Sequence, residues 1–187
     1  MLTEEFFNRP TLEVARDMLG TILVHNSPGG KTSGIVVETE AYLGDDPACH
    51  ASRGKTRRNA TMFGPPGRAY VYLVYGIHYC FNAVTMPPGI GEAVLVRALE
   101  PVEGVNIMKK RRGIDDIRLL CSGPARLCQA MGLDKQFDGI GLTDSCLHLR
   151  QGATPPKILT TTRVGISRGQ ELPYRFYIAG SRWISRK

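Results

Sequence analysis

Residues 69–91 contain no Lys, Arg, Asp or Glu, and this uncharged stretch constrains the fold more than any other part of the chain. It is long enough to form a membrane helix. A Pro-Pro pair at Pro87-Pro88, a glycine and several polar side chains interrupt it, however, and its Tyr, Val and Phe content is typical of strands. The stretch therefore predicts two buried strands around a turn, AYVYLVY (Ala69–Tyr75) and HYCFNAVT (His78–Thr85).

Further strand and helix signals flank this stretch. Strands are predicted at Thr21–Asn26 and Ser33–Gly44, joined as a hairpin by the turn Ser27–Gly30, and at Glu92–Glu100, Leu147–Arg150, Arg163–Ser167 and Tyr174–Ala179. Helices are predicted from Pro10 to just before Gly20, from Pro101-Val102-Glu103 to the basic run Lys109–Arg112, and from a Ser122 cap to Gly132. The pattern predicts one α+β domain over residues 1–187, with a mainly antiparallel, curved, barrel-like sheet and flanking helices.

The composition narrows the class of protein. A chain of 187 residues with 42% hydrophobic content is expected to bury a core, which excludes a disordered tail protein. The net charge of +7 favours a polyanionic partner, although a basic protein that merely stays soluble has the same balance. The five cysteines form no CxxC pair, and Glu4 and Glu5 stand where a signal peptide needs positive charge. A protein of a reducing, intracellular compartment is therefore expected.

Two carboxylates in the predicted strand Ser33–Gly44 are candidates for chemistry. In an extended strand, Val36, Glu38, Glu40 and Tyr42 share one face. A carboxylate on a largely apolar strand must be solvated, paired or shifted in its pKa. Two interpretations stay open at this point: an exposed strand face with solvated carboxylates, or a site that Tyr42 and the following polar loop complete.

Aromatic and basic residues are concentrated around the uncharged stretch. By alternation, Tyr70 and Tyr72 share a face, whereas Tyr75 lies beside the turn Gly76-Ile77, where a side chain can protrude. The loop Asp45–Arg68 combines basic side chains with glycines and small polar residues, as phosphate contacts require, although an ordinary solvated loop has the same composition. Its basic residues are Arg53, Lys55, Arg57, Arg58 and Arg68.

Several chemistries lack their motifs. The chain has no HExxH, no GxxxxGK[ST] phosphate loop, and no HxE with PCxxC as in zinc deaminases. The adjacent pair Cys49-His50 is poorly spaced for two ligands of one metal. No metal site and no cofactor are therefore predicted.

Six strings resemble, in order, the alkyladenine or 3-methyladenine DNA glycosylase family of the human enzyme's type. They are VETEAYLG (Val37–Gly44), HASRG (His50–Gly54), RRNATMFGPPGRAYVYLVYGIHYCFN (Arg57–Asn82), LVRALEP (Leu95–Pro101), GPARLCQA (Gly123–Ala130) and RVGIS (Arg163–Ser167). The resemblance covers nearly the entire chain, so a bacterial member of this family is expected.

The resemblance implies site residues by position. Glu40 falls on the family's general base, and Arg97 falls on an arginine beside the catalytic water and the DNA backbone. The base pocket is implied to contain Tyr42, His50, Tyr72 and Asn82, with Asn82 discriminating against the exocyclic amine of guanine. Tyr75 falls on the residue that wedges into the duplex. The basic loop adds three expected contacts to the DNA backbone, namely Arg53, Arg57 and Arg58.

The implied activity is that of a monofunctional DNA glycosylase. Such an enzyme flips alkylated or deaminated purines out of duplex DNA, hydrolyses the N-glycosidic bond with a Glu40-activated water, and leaves an abasic site for base excision repair. The expected substrates are 3-methyladenine, 7-methylguanine, hypoxanthine and ethenoadenine. We expect a monomer that binds damaged double-stranded DNA and no membrane, in the cytoplasm and associated with the nucleoid. Two alternatives stay open: a non-catalytic module that binds damaged or single-stranded nucleic acid, and a formyl- or acyl-transfer enzyme with a related barrel-like domain.

Overall fold

The longest strand, β2 (Gly30–Tyr42), organises the fold in the computed structural model, which describes residues 1–186. Strand β1 (Ile22–Ser27) pairs with the first half of β2, and β5 (Ala93–Glu103) pairs with its other edge. Strand β8 (Arg175–Ile178) takes over from β1 and pairs with residues 38–40 of β2. Because β2 has neighbours on both edges where its carboxylates lie, Glu38 and Glu40 are inside the sheet rather than at its border.

The remaining strands extend β2 into one curled antiparallel sheet. They are β3 (Ala69–Val74), β4 (His78–Val84), β6 (Leu147–Arg150) and β7 (Ile158–Thr161). The order is β3-β4-β5-β2-β1-β6, with β7 paired to β8. The helices are α1 (Glu4–Phe7), α2 (Thr11–Asp17), α3 (Val105–Arg112) and α4 (Pro124–Met131), with short 3-10 turns at Ala60–Phe63, Ile117–Leu119 and Lys135–Phe137. The predicted α+β fold with a curved, mainly antiparallel sheet is confirmed.

Alternation along the strands gives the sheet two different faces. Side chains of one parity pack into the main core with α2 and α4, and these are Ala69, Val71, Phe81, Ala83, Val94 and Val96. Side chains of the other parity, such as Tyr70, Val84 and Ala93, form a second cluster with Met62 from the loop before β3. One face of the sheet therefore packs against the helices, and the other carries the aromatic residues Tyr70 and Tyr72.

A β-bulge in β2 changes one predicted face. The pairing of β2 with β5 shifts register between Val36 and Glu38, so one extra residue is inserted there. Val36 consequently lies in the main core with Ala41, while Val37 packs against Trp183 in a separate small cluster. The prediction that Val36 shares a face with Glu40 was therefore wrong, because a one-residue shift reverses the faces on either side of the bulge.

The helix predicted to open at Pro101 begins four residues later. Strand β5 continues to Glu103, which pairs with Ser33, and Gly104 then turns the chain with a φ of 72°. A side chain at Gly104 would meet the Lys31 carbonyl oxygen at 2.2 Å. The turn therefore requires glycine, and the helix starts only after it.

Two further predictions, one of a strand and one of a helix cap, were wrong. The segment Arg163–Ser167 is not a strand, and the strand in this region is β7, which ends before it. The cap of α4 is Gly123 with a φ of 149°, not Ser122, and Pro124 is the first residue of that helix. Within residues 1–186, no helix is long and apolar enough to cross a membrane.

Candidate active site

Sheet register brings one residue from each of four strands into a row. Glu40 on β2 lies opposite Leu95 on β5, Leu95 lies opposite Asn82 on β4, and Asn82 lies opposite Tyr70 on β3. Neighbouring strands are about 4.8 Å apart. The expected base and the expected pocket residues, which are distant in sequence, therefore lie on the same face within a few strands of each other.

Glu40 is completely buried and held by three donors. Its Oε2 accepts a hydrogen bond from the Tyr42 hydroxyl at 2.8 Å and one from Arg97 Nη1 at 3.2 Å. Its Oε1 accepts from the Val164 backbone N–H at 2.7 Å. A carboxylate offers about four acceptor positions, so one position remains for a further donor such as water. The solvated-face interpretation of the strand is excluded, because Glu38 and Glu40 both have 0% exposure.

Arg97 links Glu40 to a second buried carboxylate. Its Nε donates to Glu38 Oε1 at 3.2 Å, while its Nη1 contacts Glu40 and, at 3.4 Å, the Val164 carbonyl. Burial lowers the pKa of Arg97, but the carboxylates of Glu40 and Glu38 outweigh it and hold that pKa above its usual value. The guanidinium is therefore a permanent cation beside the candidate base.

Glu38, Glu40 and Arg97 form a buried carboxylate cluster, and Tyr42 connects this cluster to an aromatic pocket. Burial and the nearby Glu40 carboxylate raise the pKa of Tyr42 far above its usual value, so its hydroxyl stays protonated and donates to Glu40. One side of its ring is covered by the guanidinium of Arg163, 4.7 Å from the ring centroid. Arg163 is itself held by a buried ion pair with Asp46, in which Nη2 and Oδ1 are 2.9 Å apart. Tyr42 also lines the pocket described next.

An aromatic pocket lies on the same face of the sheet. It is lined by Tyr42, Ala48, His50, Met62, Tyr70, Tyr72, Asn82 and Ala93. The structure thus brings together all four residues expected to contact the base. The cavity volume is about 30 Å³, far less than the about 150 Å³ of a cavity that holds benzene. A purine can therefore enter only if the side chains around it separate.

His50 is fixed by the tyrosines of β3. Its Nδ1 and the Tyr70 hydroxyl are 2.9 Å apart, and its ring stands edge-on to that of Tyr72 with centroids separated by 4.5 Å. Burial lowers the pKa of His50 and the neighbouring Arg58 lowers it further, so the imidazole is neutral at pH 7. Asn82 donates from Nδ2 to the Tyr70 carbonyl, which orients its amide oxygen away from that contact. The pocket is therefore lined by neutral groups. The charged carboxylate cluster contacts the pocket lining through Tyr42.

The turn between β3 and β4 carries the most exposed aromatic side chain. Tyr75 is 89% exposed and has a φ of 52°, a left-handed conformation that is uncommon for residues other than glycine. Ile77 in the same turn is 72% exposed. The turn therefore presents apolar side chains to solvent instead of burying them.

Three arginines line a cleft next to the pocket. Arg53, Arg58 and Arg168 surround a space of about 470 Å³ that shares Ala48 and His50 with the pocket, and no acidic side chain of the described residues lines it. Arg57 lines a second surface cavity together with Arg58 and Tyr75. The three expected backbone contacts thus lie along two cavities that share Arg58.

Sequence reasoning missed several groups of this site. The sequence predicts Arg163 only as part of a strand, and nothing in it indicates Asp46 as a partner. Arg175 and Ser185, which contact Glu38, were also not singled out. The string GISRG (Gly165–Gly169) has the GxSxG spacing of a hydrolase nucleophile, but that motif requires a strand-turn-helix context, and this segment is a loop. Among residues 1–186, no cluster of three His, Cys, Asp or Glu side chains could hold a metal ion.

Comparison with known proteins identifies the family. The model of the family described as Methylpurine-DNA glycosylase (MPG) matches residues 5–182. A protein of Methanoculleus marisnigri named "Putative 3-methyladenine DNA glycosylase" is 51% identical over 191 residues, which cover 100% of this chain and 99% of that protein. Proteins with the same name from Carboxydothermus hydrogenoformans and Nitrosospira multiformis are 50% and 47% identical, over 100% and 96% of this chain and 100% and 91% of their own lengths. The chain therefore belongs to the methylpurine-DNA glycosylase family, whose members are hydrolases that act on N-glycosyl bonds.

Proposed function

We propose that this chain is a monofunctional DNA glycosylase that flips alkylated or deaminated purines out of duplex DNA and hydrolyses their N-glycosidic bond with a water activated by Glu40. The observation that carries the proposal is the buried Glu40 carboxylate, which keeps one acceptor position beside an aromatic pocket. Names of relatives such as 3-methyladenine DNA glycosylase agree with this substrate class. The proposal includes that the enzyme acts as a monomer on the DNA of the nucleoid, in the cytoplasm.

For an alkylated purine, which is already cationic, the proposed reaction needs only Glu40 and one water. A water bound to the free acceptor position gives a proton to Glu40 while its oxygen bonds to C1′ of the sugar. The N-glycosidic bond breaks and its electron pair leaves with the purine. An alkylated, cationic purine becomes neutral in this way, whereas a neutral purine such as hypoxanthine takes up a proton from solvent as it leaves. The positive charge that develops on the sugar is stabilised by the Glu40 carboxylate in a site shielded from solvent. Since Glu40 has 0% exposure in the free chain, the flipped nucleotide must first displace part of its cover.

Selection of damaged bases follows from the pocket walls. Stacking on aromatic rings contributes about 1–3 kcal/mol per base, and a cationic purine gains a further attraction to electron-rich faces. Tyr42 and Tyr72 are neutral rings in this position. An alkylated purine should therefore bind more tightly than a normal one.

The proposal is tested by release of free purine from methylated duplex DNA. We expect the wild-type protein to release 3-methyladenine or 7-methylguanine and to leave strands that break only after alkali. A protein that binds this DNA without releasing base would contradict the hydrolysis. Strand breaks formed without alkali would instead contradict the monofunctional reaction, because they require an amine nucleophile.

The turn between β3 and β4 gives a second test. We expect Tyr75→Ser to weaken capture of a lesion by about 1–3 kcal/mol, since the exposed ring can no longer stack in the gap left by the flipped nucleotide. The measurement is lesion-duplex affinity together with the fluorescence of 2-aminopurine placed next to the lesion. Val102→Ser is the matched control, because Val102 is 50% exposed on β5 away from the turn. Unchanged affinity and fluorescence in Tyr75→Ser would rule out the wedge.

The arginine cleft gives a third test. We expect Arg168→Gln to weaken binding of damaged and undamaged duplex equally and to lower the slope of log Kd against log salt by about one, the effect of losing one phosphate contact. Arg118→Gln is the control, because Arg118 is exposed and pairs locally with Asp116. A salt slope identical to that of the wild type would show that Arg168 does not contact a phosphate.

A further inference from the structure

A second buried carboxylate, Glu38, lies beside the proposed base and has no part in the hydrolysis described above. Its side chain has 0% exposure and accepts four hydrogen bonds. The donors are Arg97 Nε at 3.2 Å, Arg175 Nε at 2.8 Å, Ser185 Oγ at 2.8 Å and Ser185 N–H at 2.5 Å. Two carboxylates and two guanidiniums therefore balance in charge, and Arg97 is the cation that touches both carboxylates.

The way Arg97 is held determines what it can do to Glu40. Arginine and carboxylate groups prefer a bidentate contact with two parallel hydrogen bonds. Arg97 makes only one contact with Glu40, through Nη1, because Glu38 and Ser185 hold its Nε–Nη2 edge and thereby fix the orientation of the guanidinium. Without that restraint the guanidinium could rotate and donate two hydrogen bonds to Glu40. The second bond would fill the acceptor position that the water needs.

Ser185, in the segment 181–186 that follows β8, completes this restraint. The Ser185 hydroxyl accepts from Arg97 Nε and Nη2 at 3.3 Å each and donates to Glu38, which uses its one proton and both lone pairs. Trp183 anchors the segment against Val37 and Ala98. A side chain far from Glu40 in sequence is thereby fixed against the same guanidinium.

We propose that Glu38 and Ser185 are positioning residues that hold Arg97 in a single contact with Glu40 and so keep one acceptor position of the general base open for water. The proposal rests on the proposed function, since it requires Glu40 to be the base. It assigns a role in the reaction to a part of the chain that need not touch DNA.

The test uses Ser185, because Glu38→Gln would leave Arg175 without its carboxylate and could unfold the protein. We expect Ser185→Ala to lower the single-turnover rate constant of purine release about 10- to 100-fold, the range found when groups that orient metal ligands are removed. Affinity for the lesion duplex and the amplitude of release should not change. Ser185→Thr, which retains the hydroxyl, should restore most of the rate. Ser181→Ala is the matched control, because within residues 1–186 its hydroxyl accepts from the Trp183 N–H and contacts neither Arg97 nor Glu38.

Three results would overturn the positioning role. The first is a wild-type rate constant in Ser185→Ala while Glu40→Gln is inactive, which would leave the proposed function intact. The second is a Ser185→Ala variant in which only the amplitude of purine release falls, because misfolding reduces the active fraction of the protein without changing the rate constant. The third is equal loss in Ser185→Ala and Ser185→Thr. Release at the wild-type rate by Glu40→Gln would overturn the proposed function and this role with it.

Discussion

Replacing Glu40 by glutamine should abolish purine release while duplex binding persists. The amide keeps the size of the side chain but cannot take a proton from water, and loss of a general base lowers rates about 10²- to 10⁴-fold. Loss of the negative charge beside the sugar adds to this effect. Binding should persist because Glu40 is buried behind Tyr42 and offers no surface to the DNA backbone. The measurements are single-turnover release from a lesion duplex and the affinity for the same duplex.

A surface carboxylate supplies the control for this experiment. Glu103→Gln makes the same chemical change at the end of β5, where Glu103 is exposed and pairs with Lys31. Its release rate should equal that of the wild type. If Glu40→Gln and Glu103→Gln release purine equally fast, Glu40 is not the general base.

The largest expected effect on stability is that of Asp46→Asn. Asp46 and Arg163 form an ion pair with side-chain exposures of 1% and 0%. Removing one partner of such a pair leaves an uncompensated buried charge, so the free energy of unfolding should fall by about 3–5 kcal/mol. Lesion affinity should fall as well, because Arg163 supports the Tyr42 ring from behind. Urea denaturation and lesion-duplex affinity measure the two effects.

The control is the exposed pair Arg9–Asp17, whose side chains are 34% and 52% exposed. Exposed pairs contribute about 0–1 kcal/mol, so Asp17→Asn should change stability little. Equal losses of unfolding free energy in the two variants would mean that burial of the Asp46–Arg163 pair does not contribute to stability. Unchanged lesion affinity in Asp46→Asn would contradict the proposal that Arg163 supports Tyr42.

The β3–β4 hairpin shows how much a local pattern can predict. Alternation alone places Tyr70 and Tyr72 on one face and Tyr75 at the turn, and the structure agrees because paired strands keep a strict period of two. The same argument failed at Val36, since a bulge adds a residue without any sequence signal in β2 itself. Local patterns therefore predicted the strands better than their faces.

The parts of the site that sequence could not predict depend on distant contacts. Asp46 and Arg163 are separated by 117 positions, and Glu38 and Ser185 by 147. Nothing in either segment indicates a partner, so Arg163 could pass for a strand residue and Glu38 for a solvated one. The resemblance to the glycosylase family named the residues expected to contact the base, and only the fold supplied the residues that hold them in place.

The most direct test of the account is a crystal structure of Glu40→Gln bound to a duplex that contains one hypoxanthine or one alkylated purine. We predict that the damaged base lies between Tyr42 and Tyr72, that Tyr75 occupies the gap in the duplex, and that C1′ of the flipped sugar reaches the side chain at position 40 through one water. A damaged base that remains stacked in the duplex, or that binds in another cavity away from position 40, would contradict the account.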